Sequence, residues 1–176
     1  MSSDELNLFS YEVLGLVGSE GAGPHDLREM VRRGRMLDWA GESRYYVEPK
    51  RLAKLGYLSA RKAPGKTRER TVYSLTAKGR KALRDYARAP ARFIPLKSDA
   101  LVRLLIADLV GEAATREGLA GLEPELNELE TLLDEAAERA AELPHRRAYL
   151  EINIAFLRGY LDLHHNLIAD VEREFG

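Results

Sequence analysis

The sequence predicts a mainly α-helical chain with one small β-hairpin, divided into two parts of opposite charge. Three observations carry that expectation. Apolar residues recur at helical spacing through most of the 176 residues. Residues 57–75 instead read as two short strands about a Pro-Gly turn. The formal net charge of −1 conceals 18 Lys/Arg against 11 Asp/Glu in residues 1–90, and 9 against 17 in residues 91–176. A basic half and an acidic half suggest a polyanion-binding module joined to a module with another task.

Composition narrows the field further. Apolar residues make up 45% of the chain, a normal share for a globular protein with a real core. No run of about 18 apolar residues is present, which argues against a membrane partner. The opening Met-Ser-Ser-Asp-Glu carries acids where a signal peptide carries basic residues, so a cytoplasmic location is expected. The absence of cysteine removes disulfides, a thiol nucleophile and a zinc ribbon.

The first helix is expected from Leu6 to Val17, with Phe9, Val13, Leu16 and Val17 inward and Ser2, Ser3 or Asp4 as its cap. Gly18 to Pro24 must turn. A second helix follows, with Leu27, Met30 and Val31 as its apolar face and Gly34 closing it. Met36, Leu37 and Trp39 then tuck beneath the core. Ser43 is the expected N-cap of a third helix over residues 44–57 that Gly56 closes in a left-handed cap. On this helix Tyr46, Leu52 and Leu55 are expected to face inward, and Arg44, Lys50, Arg51 and Lys54 outward. Pro49 falls inside it, so an irregular first turn is expected. Residues 57–62 and 70–75 form the hairpin, and Thr76 caps a fourth helix with Ala77, Leu83 and Tyr86 inward.

Pro90 and Pro95 mark the boundary between a domain over residues 1–90 and another over 91–176. Ser98 or Asp99 caps an apolar helix ending near Gly111. From Leu119 to Leu143 the apolar steps alternate three and four, a heptad seam, and Gly118, Gly121 and Pro124 suggest that the regular helix starts only around Glu123 to Glu125. The last helix, about residues 145–174, carries two stripes. One is Leu150, Ile154, Leu157, Leu161, His164, Ile168, Val171 and Phe175; the other is Tyr149, Ile152, Phe156, Tyr160, Leu163 and Leu167. Two stripes call for two packing partners, and a second copy of the chain is the economical one.

Ser43 to Arg88 holds 14 Lys/Arg and only Glu48, Glu69 and Asp85. Three helices, a basic hairpin and a capped fourth helix together make a winged helix-turn-helix, the kind of unit that meets DNA phosphates. The order of elements resembles the PadR family of bacterial transcriptional regulators. The residues that carry the likeness are Gly23-Pro24, Ser43 with Tyr46, and Leu52, Leu55, Gly56, Tyr57 and Leu58. The clearest piece is Val72-Tyr73-Ser74-Leu75-Thr76, followed by Gly79 and Leu83. Residues 6–88 bear most of the match. The resemblance implies an N-terminal winged helix-turn-helix, a C-terminal antiparallel helical dimerisation arm, and repression relieved by a small molecule or another cue.

In this reading the third helix enters the major groove. Arg44, Tyr45 and Lys50 then lie at or near base edges, and Arg51 and Lys54 at phosphates. The tip residues Lys66, Thr67 and Arg68 reach the flanking backbone or minor groove, and Ser43, Tyr46, Arg61 and Arg70 complete the expected DNA-binding set. The expected dimer contacts are Leu126, Leu129, Leu133, Leu150, Ile154, Phe156, Leu157, Tyr160, Leu161, Leu163 and Ile168. An aromatic groove about Tyr149, Phe156 and Tyr160, with Trp39 as a remote member, could hold an effector of unknown identity. The partners implied are a double-stranded operator and a second copy of the chain, and no cofactor is called for.

An enzyme is not expected. His164 and His165 are adjacent and point about 100° apart on a helix, so they cannot share a metal. Glu130, Glu135 and Glu138 lie on an acidic face without evident pairing for acid–base work. No phosphate-cradling glycine motif occurs. The rival reading is a winged-helix protein whose main role is protein–protein interaction without specific DNA binding.

Overall fold

The computed structural model describes residues 5–33, 40–64, 69–93, 95–143 and 145–176, with the side chain of Arg33 excluded. They fall into two compact units that divide near residue 92.

The first unit contains α1 (Leu8–Val17), α2 (Pro24–Arg33), α3 (Arg44–Lys54), β1 (Leu58–Ala63), β2 (Arg70–Leu75) and α4 (Ala77–Arg88). The cap of α1 is Asn7, not a residue of the Ser2–Asp4 group, which lies outside the described residues. Asn7 and Ser10 satisfy one another's backbone N–H groups in a reciprocal capping box. Pro24 opens α2, where its missing N–H costs nothing, and the Asp26 carboxylate accepts from Gly23 N at 2.9 Å. Leu27 and Val31 are buried as expected, whereas Met30 is exposed. Gly34, Met36, Leu37 and Trp39 lie outside the described residues.

The core of this unit gathers Phe9, Val13, Leu14 and Val17 of α1, Leu27 and Val31 of α2, Tyr45 and Leu52 of α3, Leu58 of β1 and Tyr73 of β2. The two strands pair antiparallel, Leu58 opposite Leu75 and Ala63 opposite Arg70. The α1–α2 turn joins this ladder, because Ala22 and Tyr73 exchange both backbone hydrogen bonds at 3.0 Å.

Thr76 caps α4 by accepting from Gly79 N at 3.1 Å while its hydroxyl lies 2.7 Å from Gly56 O and 3.0 Å from Tyr57 O. Gly79 is required by a close approach. A Cβ at this position would overlap the Tyr57 carbonyl oxygen and press on Leu75. Leu83 packs on the core, but Tyr86 does not enter it; it is exposed and stacks on Tyr11 at 4.0 Å.

The second unit holds α5 (Asp99–Leu105), α6 (Ala107–Val110), α7 (Glu112–Ala120), α8 (Glu123–Ala141) and α9 (Arg147–Phe175). Ser98 caps α5 through Leu101 N. The single helix expected to run to Gly111 is broken at Ile106, and its apolar side chains Leu101, Val102, Leu105, Leu109 and Val110 are exposed. Residues 112–120 form a helix of their own, and α8 begins at Glu123, the start that Gly118, Gly121 and Pro124 suggest. α8 and α9 run antiparallel, as the Asp134–Arg158 ion pair and the Glu130–His165 contact require. At about 1.5 Å per residue, the 29 residues of α9 span roughly 43 Å.

Several residues expected at a dimer interface are covered within one chain instead. Leu126, Leu133, Leu161 and Ile168 form one buried cluster, with Leu122, Leu129 and Leu157 packed against it, and Ile154 is buried as well. The reason lies in the heptad seam of α8, which is itself the partner of the first α9 stripe. Of the second stripe, Tyr160 is half-buried and Leu167 packs against Ala100, Leu119 and Val171, while the other four side chains lack such cover. Tyr149, Ile152, Phe156 and Leu163 are 66–75% exposed.

Candidate nucleic-acid interface

α3 is the centre of the basic surface, and its geometry follows from its sequence. It is entered through three successive i→i−3 backbone hydrogen bonds, Arg44 N to Gly41 O, Tyr45 N to Glu42 O and Tyr46 N to Ser43 O. That is a 3₁₀-like entry, and it agrees with the irregular first turn Pro49 suggests. Ser43 stands at the N-cap position but in helical conformation, without a side-chain capping bond. Gly56 follows with φ +79°, the left-handed exit expected of it.

The faces of α3 differ from expectation by one residue at the start. Tyr45 is buried at 1% exposure, stands edge-on to Phe9 at 5.1 Å, and donates from its hydroxyl to Glu12 at 2.9 Å. Tyr46, expected in the core, is exposed. Leu55 is half-buried and Leu52 fully buried. Tyr45 therefore leaves the list of groove contacts, and Tyr46 keeps an outward position. The outward face consists of Arg44, Tyr46, Val47, Lys50 and Lys54. Arg44 also lies over the Phe9 ring at 4.3 Å, so its guanidinium rests on α1.

Arg51 does not point outward as expected. It is half-buried and grips Glu48 with both arms, Nε to Oε2 at 2.9 Å and Nη2 to Oε1 at 2.7 Å. Its Nη2 also donates to the Ser10 hydroxyl at 3.0 Å, and that hydroxyl donates to Glu48 Oε1 at 2.8 Å. Burial alone would raise the Glu48 pKa, but the hydrogen bonds from Arg51 and Ser10 and the charges of Arg51 and Arg44 outweigh it. The carboxyl is held below its ordinary range and stays ionised. The far end of α3 is tied down too, since Lys78 Nζ donates to Leu55 O at 2.8 Å while sitting over the Tyr57 ring.

On the hairpin, Arg61 and Lys62 are exposed on β1. Arg70 is exposed as well but engages both carboxylate oxygens of Asp26, at 3.0 and 3.2 Å, which ties β2 to α2. Lys66, Thr67 and Arg68 lie outside the described residues.

The sequence matches no family profile and no curated protein. Solved structures do match. The structure of Bacillus subtilis PadR in complex with operator DNA aligns with TM-score 0.70 and 16% identity, covering 94% of this chain and 99% of that one. A Streptococcus mutans protein, smu.1604c, aligns with TM-score 0.77 and 18% identity over 94% and 96% of the two chains. The fold is that of the PadR-like regulators. A PadR-like transcriptional regulator from Bacillus cereus aligns as well, with TM-score 0.70 at 15% identity over 97% and 99%. The resemblance inferred from Thr76, Gly79 and Leu83 thus extends, as PadR-like architecture, over almost the whole chain.

Two features of this PadR-like unit escaped the sequence reading. One is the Ser10–Glu48–Arg51 cluster; the other is the Asp26–Arg70 bridge. Periodicity held a clue to the first. Tyr45 and Leu52 are seven apart, two helical turns, whereas Tyr46 and Leu52 are six apart and cannot share a face. Choosing Tyr45 turns Glu48 inward and leaves Arg51 as its nearest cation. The Asp26–Arg70 bridge joins residues 44 apart in sequence, and no local pattern announces it. Among the described residues, no group of three or more His, Asp or Glu is placed to hold a metal, and no helix is long and apolar enough to cross a membrane.

Proposed function

We propose that the chain is a sequence-specific DNA-binding regulator of transcription, acting as a homodimer on a near-palindromic operator. The observation that carries this reading is the outward face of α3. Arg44, Tyr46, Lys50 and Lys54 share it, while Tyr45, Leu52 and Pro49 anchor the opposite face in the core. A helix held this firmly, with its cations on one side, is suited to a major groove. Arg44 and Lys50 would stand near base edges and Lys54 near phosphate, with Arg61 at the flank. The likeness in fold to PadR of Bacillus subtilis, whose structure is a complex with operator DNA, supports a DNA-binding role.

The homodimer rests on uncovered apolar surface. Phe156 and Leu163 of α9, and Leu105 and Leu109 of α5 and α6, are between 66% and 79% exposed. Large apolar side chains left in water at that density mark an association surface. Two copies would present two α3 helices, with half-site centres about 34–36 Å apart or a multiple of it. We read the regulator as a repressor released by a small molecule; PadR of Bacillus subtilis also has a structure with p-coumaric acid. For this chain the effector class stays open, with Tyr149, Phe156 and Tyr160 as candidate contacts.

The test is a gel shift against the DNA upstream of the chain's own gene, run at two salt concentrations. Specific binding that weakens steeply with salt is expected. Changing Arg44 and Lys50 together to Ala should lower operator affinity at least tenfold, since a good base-edge contact is worth about 1–3 kcal/mol. Affinity no greater than for random DNA would defeat the reading.

A further inference from the structure

We propose that Glu48 is a positioning residue that limits indiscriminate DNA affinity: by gripping Arg51 against Ser10 of α1 it keeps one guanidinium of α3 away from the phosphate backbone. The inference rests on the DNA-binding reading above and concerns a residue pair that reading does not use.

The geometry is that of a restraint. Glu48 is 8% exposed, and a carboxylate that deep stays charged only when paired and hydrogen-bonded. Its pairing is complete on the Arg51 side, with two parallel N–H···O bonds, and the Ser10 hydroxyl supplies a further donor. Ser10 is itself fully buried and held by the Asn7 capping box, so the anchor for Arg51 belongs to the rigid start of α1. Arg51 stands on the flank of the outward face. At about 100° per residue, Lys54 lies only about 60° around the helix from it. Released from Glu48, the guanidinium would join the Lys50–Lys54 surface.

That release would change binding in a particular way. A cation on phosphate adds affinity for every sequence alike and makes binding more salt-sensitive, by about 0.9 in the slope of log K against log salt. A contact common to operator and random DNA leaves their ratio unchanged, so what Glu48 sets is the chain's overall affinity for DNA and its sensitivity to salt. Glu48 withholds that contact.

The experiment uses the full chain, with fluorescence anisotropy on the upstream duplex and on a random duplex of equal length, across a salt series. Glu48→Gln should steepen the slope on both duplexes by about 0.9 and raise affinity for both alike, leaving the operator-to-random ratio unchanged. Glu48→Gln combined with Arg51→Gln should return the slope to the wild-type value. A folded Glu48→Gln protein with wild-type slope overturns the proposal. Should Glu48→Gln fail to fold, the double variant still decides. Its slope equals that of the wild type if Arg51 is withheld, and is shallower by about 0.9 if Arg51 already touches phosphate, which overturns the proposal. A wild-type chain that binds neither duplex overturns the regulator reading and this inference with it. A wild-type chain that binds, with slopes unmoved by Glu48→Gln, overturns this inference alone.

Discussion

Gly79 occupies the third position of α4, where helix propensity alone would favour alanine by about 1 kcal/mol. The contact with the Tyr57 carbonyl reverses that preference, because backbone cannot yield as a flexible side-chain tip can. Gly79→Ala should therefore destabilise the first unit by about 1–3 kcal/mol, the usual cost of overpacking, despite the better helix former. A urea midpoint that rises on this substitution would contradict the close approach. The same scale explains why Thr76 and Gly79 were legible in the sequence while Tyr45 was not. Thr76 and Gly79 act on neighbours within their own turn or across the adjoining strand. The orientation of Tyr45 depends on which residue opens α3, and the 3₁₀-like entry sets that from Gly41 and Glu42 upstream.

Among the elements, α8 and α9 divide apolar residues between two tasks. Leu161 is 2% exposed inside the cluster with Leu126 and Leu133, whereas Phe156 and Leu163 are bare. Leu161→Ala should cost about 2–5 kcal/mol of stability through lost burial and a cavity. Phe156→Asp with Leu163→Asp should leave helix content by circular dichroism unchanged but shift the sedimenting species to monomer. Loss of helix in the second variant would show that these side chains support the chain that carries them. The sequence made both stripes of α9 visible because a 3.6-residue period is enough to mark them. It did not say which stripe α8 would cover, since that depends on how the antiparallel pair docks. The break at Ile106 was hidden because apolar spacing continues across it, whereas the start of α8 at Glu123 was marked by Gly118, Gly121 and Pro124.

At the scale of the whole chain, the charge reversal near residue 90 lies close to the main division into two compact units near residue 92, and among the described residues all elements after that division are helices. The basic unit holds α3 in place through Ser10 on α1, Lys78 on α4, and the core beneath Tyr45 and Leu52. None of these partners adjoins α3 in sequence, which is why the element was legible and its setting was not. The backbone exchange between Ala22 and Tyr73 adds a different consequence. Ala22 lies in an inter-helix turn, where an amide would ordinarily trade its hydrogen with water within moments. Paired with a central residue of β2 and 2% exposed, it should instead exchange only when the hairpin opens. Deuterium uptake at Ala22 should then track that of Tyr73, both slowed by orders of magnitude relative to Glu20. Fast uptake at Ala22 beside slow uptake at Tyr73 would mean that the turn and the hairpin open separately. Matched rates would make the turn, the hairpin and the start of α2 one cooperative unit, so that damage to a strand is felt in a helix-turn-helix it does not belong to.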